Sequence, residues 1–171
     1  MNLTRLDRAK FWFQFEILKS LPNADSKYYE ELQTIVSSGY TNQYYRLFEC
    51  VDRSDFPEEE CEFVADVLEM YRALDDGIDP KVAPKVSGED GLYKFRGFDG
   101  NEEAAHLAYA RFLIETQGKW IESKLADFNS HFPTIPTYKA MLRVWKSLPQ
   151  HRQQNPTGED AKAMLEAGRA A

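Results

Sequence analysis

Residues 54–74 read SDFPEEECEFVADVLEMYRAL, and their spacing decides the fold class. Ser54 or Asp55 can cap a helix, and Pro57 suits its first turn, where the missing N–H would go unbonded anyway. Glu58, Glu59 and Glu60 complement the positive end of the helix dipole. Behind them Cys61, Val64, Val67, Leu68, Tyr71 and Leu74 recur at three- and four-residue intervals. That is the pattern of a helix laid against a core.

The same signals continue in both directions. Upstream, Thr4 can cap a helix running towards Ser20, where Pro22 ends it. Its apolar residues, Phe11, Trp12, Phe13, Phe15, Ile17 and Leu18, cover most of its circumference. Such a helix either threads its own core or is shared with another chain. Asp25 or Ser26 opens a second helix that carries Tyr29, Leu32, Ile35 and Val36 inward and stops at Gly39.

Downstream, residues 75–91 form a Pro/Gly-rich loop with little to pack. The segment LYKFRGFDG (92–100) adds aromatic anchors, and Asp99 or Asn101 can cap a fourth helix reaching about Gln117. Its interleaved alanines, Ala104, Ala105, Ala108 and Ala110, predict the central helix of the fold. A fifth helix lies within 138–148, striped by Tyr138, Met141, Leu142, Trp145 and Leu148. Thr157 with Asp160 resembles a capping box for a last, Ala-rich helix with little to bury, expected to fray. The expected fold is all-α, a single multihelical domain of about six helices over 1–150, followed by a helical tail over 151–171.

Composition narrows the function. With 43% hydrophobic and 13% aromatic residues, the 171-residue chain has the material for a sizeable core. Its net charge of −7 argues against a protein that coats nucleic acid. Residues 51–80 hold eleven acids against two bases, whereas 137–171 hold six bases against three acids. Such runs read first as solvated helix faces. Two unpatterned cysteines, Cys50 and Cys61, make neither a disulfide framework nor a zinc site. No apolar run approaches a membrane span, and the N-terminus has no secretory h-region, so the expected compartment is the cytoplasm.

Four stretches taken in order, LEMYRAL (68–74), FRGFDGNEEA (95–104), the helix of Tyr109, Arg111 and Phe112 running to Gly118–Lys119–Trp120, and YKAMLRVW (138–145), resemble the YfbU family of bacterial proteins. The agreement covers roughly residues 25–150. The resemblance implies a helical, cytosolic protein and assigns no catalytic residues, cofactor or metal. Two regions depart from the family pattern, the longer C-terminal tail and the Pro/Gly-rich loop.

Chemistry-bearing candidates are few. Glu103 and His106 form an E-x-x-H, but a di-iron bundle needs a second such pair, and neither His131 nor His151 supplies one. Arg111 and Glu115, spaced i,i+4 among apolar residues, are expected to form a partly buried pair that could grip an anion. In the FRGFDG turn, Arg96 between Phe95 and Phe98 resembles an anion or base-stacking site, while Asp99 reads as a helix cap. The tyrosines at 28, 29, 40, 44 and 45 could line a groove or edge the core. No GxxxxGK[ST], GxGxxG or GxSxG motif is present.

Arg96, Asp99, Arg111 and Glu115 are therefore the candidate binding residues, with no catalytic residue, cofactor or metal ligand assigned. Phe11, Trp12, Phe13 and Phe15 are the candidate oligomer interface, a two-fold dimer being the default. The favoured reading is a non-enzymatic interaction or regulatory protein that self-associates and meets a further protein partner. The alternatives are a nucleic-acid-linked regulator using Arg96, Arg143, Lys146 and Arg152, and an enzyme acting on a small anionic substrate.

Overall fold

A computed structural model describes residues 2–51, 54–77 and 91–171. Seven α-helices lie among them: α1 Arg5–Lys19, α2 Ser26–Ser38, α3 Glu58–Gly77, α4 Ala104–Arg111, α5 Ile135–Ser147, α6 Gln150–Gln154 and α7 Gly158–Arg169. No β-strand occurs among the described residues, only an isolated bridge between Phe98 and Asn129. The fold is all-α. Residues 78–90, which hold most of the expected loop, lie outside the described residues.

The chain forms two compact units, Met1–Asp55 and Phe56–Ala171. In the first, Thr4 and Asp7 close a reciprocal capping box at the start of α1. Asp25 accepts a hydrogen bond from the Tyr28 N–H to start α2, and Gly39 ends it in the left-handed region. A 3-10 helix, Thr41–Phe48, follows. Phe15, Leu32, Ile35, Val36, Tyr44 and Leu47 make this unit's core, with Phe11 and Trp12 packed partly against it.

The second unit is built around α3, whose Val64, Val67, Leu68, Met70 and Leu74 are wholly enclosed. α3 is thus the central helix, and α4 is not. Ala104, Ala105 and Ala108 lie on the surface, so the alanines of α4 mark an exposed face rather than a close helix crossing. The helix ends in a π turn, Phe112–Thr116, that turns Leu113 and Ile114 into the core. α5 buries Tyr138, Met141, Leu142 and Trp145, the stripe the sequence predicts.

The expected fraying of the last helix is overturned. Ala161, Met164 and Leu165 of α7 are fully buried and belong to the same core as α3 and α5. Gly168 explains the fit: a Cβ there would lie 2.8 Å from Met141 Cγ, so its absence lets α7 settle against α5. The Thr157–Asp160 capping box forms as predicted, and Arg152 Nε and Nη2 donate to the Asp160 carboxylate from α6.

Candidate functional site

The segment 92–103 links α3 to α4 and is held from both sides. Tyr71 of α3 donates its hydroxyl to Leu92 O at 3.1 Å, and Tyr93 returns a hydroxyl to Leu74 O at 2.8 Å. Leu92, Phe95 and Phe98 are buried, which leaves the backbone between them to turn in little space. Gly97 makes that possible. Its φ is +81°, and a Cβ would fall 1.9 Å from Phe128 O. Phe98 N–H donates to that same Phe128 carbonyl, and Ser130 N–H donates back to Phe98 O.

Beyond the glycine, two carboxylates serve two helix starts. Asp99 accepts from the N–H groups of Asn101 and Glu102, each at 3.3 Å, so it caps the turn that leads into α4. Glu103 takes four hydrogen bonds: from the N–H groups of Thr134 and Ile135 at 2.8 Å, from the Thr134 hydroxyl at 2.9 Å, and from Asp99 N–H at 3.0 Å. The start of α5 is therefore capped by a carboxylate more than thirty residues away in the chain. Tyr138 completes the cluster by donating to Gly97 O at 2.9 Å, and burial pushes its phenol well above the usual tyrosine range. No buried side-chain nitrogen or oxygen among the described residues lacks a partner.

Sequence reasoning placed Asp99 at a cap but missed Glu103, Thr134 and Tyr138 as its companions. Two signals point to them: Glu103 stands one residue past the N3 place of a capping box opened by Asp99, and Pro136 marks a helix start near Thr134. Glu103 and His106 do not act together. Glu103 is saturated by the donors above, while His106 Nε2 lies 2.8 Å from Glu60 among the rings of Phe56, Phe63 and Phe98.

Two expectations need correction. The rings of Phe95 and Phe98 that flank Arg96 in the chain are buried, and its guanidinium lies instead over Phe132, 4.6 Å from the ring centre. A small cavity of about 170 Å³ opens beside it, lined by Leu92, Thr134, Thr137 and Tyr138. The Arg111–Glu115 pair is exposed rather than partly buried, with side chains 49% and 39% accessible and Nε to Oε2 at 4.0 Å. Its surroundings are apolar in sequence, but of the residues between the two charges only Leu113 and Ile114 turn inward, and both charges stay outside. Glu115 is shared with Lys124 at 3.6 Å, and Arg111 also lies over the Phe128 ring. The turn and the pair are separate features.

The bases considered for nucleic acid are partly spent. Lys146 pairs with Asp66, and Arg152 with Asp160. The proposed interface residues on α1 divide as well. Phe15 is 7% exposed and lies in the core of the first unit, Phe11 and Trp12 are half-buried against it, and Phe13 is 64% exposed. Among the described residues no helix is long and apolar enough to cross a membrane.

Fold and turn together define an all-helical protein. The chain belongs to the YfbU family: it matches the YfbU domain over residues 1–167. The C-terminal helix thus lies largely within the family pattern and is not a departure from it. The chain is also similar to a UPF0304 protein of Methanocaldococcus jannaschii, 32% identical over 154 residues that cover 85% of this chain and 88% of the relative. That relative is archaeal, so kinship does not assign the chain to bacteria.

Proposed function

We propose that this chain is a non-enzymatic interaction protein of the cytoplasm that self-associates as a two-fold dimer through the outer face of α1. The observation that carries the reading is an exposed apolar strip. Leu6, Phe13 and Ile17 are each 64% exposed and lie within about 40° of one another around the helix axis. Leu21, 51% exposed, follows just past the helix end. A strip of this kind on a helix whose other side already fills its own core is suited to a second copy, since a two-fold axis needs only one self-complementary patch. The saturation of the buried carboxylates argues in the same direction, because a general acid or base needs a group that is not committed to helix capping. Two free thiols, Cys50 exposed and Cys61 half-buried, suit a reducing compartment.

Light scattering at micromolar concentration tests the proposal. The wild-type chain is expected to have twice the protomer mass, and Phe13→Glu to have the protomer mass with an unchanged far-ultraviolet circular dichroism spectrum. A monomeric wild type, or a Phe13→Glu variant that stays dimeric, removes the proposal.

A further inference from the structure

Beside the crossing of α5 and α7 at Gly168 lies an open groove of about 720 Å³. Ile135, Ala140 and Val144 of α5 and Ala167 of α7 give it apolar walls, and Lys139 and Arg143 are its charged residues. Among the described residues no Asp or Glu side chain lines it. The groove follows α5 from Ile135 to Val144, about 14 Å at 1.5 Å per residue. Lys139 and Arg143, spaced i,i+4, stand on one side of that length.

Several bases of this unit are already paired. Arg72 pairs with Glu122 at 2.5 Å, Lys146 with Asp66, Arg152 with Asp160, and Lys124 with Glu115. Lys139 and Arg143 have no carboxylate partner among the described residues; the Lys139 ammonium lies over the Phe63 ring, 5.4 Å from its centre. In a chain of net charge −7, two exposed cations that lack a carboxylate partner among the described residues, both on one apolar groove, mark it as complementary to acid.

We propose that this groove binds an acidic amphipathic helix of a partner protein, its apolar face on the α5–α7 walls and its carboxylates on Lys139 and Arg143. The occupant must be helical because helix walls offer no backbone edge for an extended peptide to pair with, so it has to satisfy its own backbone. Nucleic acid suits the site poorly: the lining has no aromatic ring to stack a base, and two cations engage few phosphates. A second copy suits it poorly too. The acid-rich helix of this chain is α3, and its apolar stripe is already buried in its own core.

The probe is a fluorescein-labelled synthetic helix of about 15 residues, with leucines along one face and glutamates on the other, read by anisotropy against the full chain. Its counterpart carries lysine in place of each glutamate. The acidic peptide is expected to bind about tenfold more tightly than the lysine peptide, and added salt to weaken it. Lys139→Glu with Arg143→Glu should cost about tenfold in affinity, while Lys162→Glu, on the exposed side of α7, should leave it unchanged. Both bases are exposed, so the double variant is expected to keep its unfolding midpoint. Equal binding of the two peptides, or undiminished binding by the folded double variant, overturns the proposal. So does a single-stranded oligonucleotide that binds more tightly than the acidic peptide and is lost in the double variant, or a change in oligomeric mass on making that variant.

Discussion

Glu103 and Gly97 carry more of the second unit than their surroundings in the sequence suggest. Glu103 ties Asp99, Thr134 and Ile135 together, and hydrogen bonds to a charged group are worth about 1.5–3 kcal/mol each. Asp99 caps a single turn, a role worth about 1 kcal/mol. Urea denaturation should therefore rank the variants: Asp99→Ala lowers stability by about 1 kcal/mol, and Glu103→Ala by about 3 kcal/mol or more. Equal losses would mean that Glu103 is no hub. Gly97→Ala meets both a positive φ and the Phe128 carbonyl, so it should cost at least about 2 kcal/mol in the same measurement.

Helix α7 is held by a capping box and a clamp, and both pass through Asp160. Burial opposes its ionisation, yet hydrogen bonds from Arg152 and Thr157 outweigh that and hold its carboxyl below the usual value of 3.8. A carboxyl depressed on folding stabilises the native state above its unfolded pKa. That contribution is lost as pH falls from about 3.8 through the lower folded value. Asp160→Asn should accordingly lower the urea midpoint at pH 7 and narrow its gap from wild type in acid. A gap that stays constant down to the lowest pH at which the chain folds would contradict this. Where α4 passes into the π turn, the exposed Arg111–Glu115 pair should show a double-mutant coupling of at most about 0.5 kcal/mol. Its 4.0 Å separation and the sharing of Glu115 with Lys124 give no reason for more.

At the scale of the whole molecule, the two sides of α1 should respond oppositely to truncation. Phe15 is enclosed with Leu32, Ile35 and Val36, so Phe15→Ala should destabilise the first unit by about 3–4 kcal/mol. Phe13→Ala should change its stability by no more than about 0.5 kcal/mol while weakening self-association. Hydrogen exchange of the α2 amides reads the first effect, and the concentration dependence of the mass reads the second. Fast exchange in both variants would mean that α1 has no free face.

Helix positions were legible in the sequence because caps and stripes are local. Thr4, Asp25, Gly39 and Thr157 end or begin helices where their side chains or φ values require it. The stripes of α3 and α5 are buried as their spacing predicts. Spacing alone did not say which apolar surface meets which. α4 and α7 look alike in sequence, both rich in alanine, yet three alanines of α4 face outward, while α7 is drawn into the core where Gly168 removes the Cβ that would strike Met141. The candidate site divides in the same way. The cap at Asp99 is a contact between near neighbours and could be read from the chain. Glu103 meets Thr134 and Ile135 more than thirty residues away, a pairing set by the packing of α5 against the 92–103 segment. The groove with Lys139 and Arg143, which lack a carboxylate partner among the described residues, also depends on that packing, since ion pairing is decided by where α3, α5 and α7 stand and not by the order of their residues.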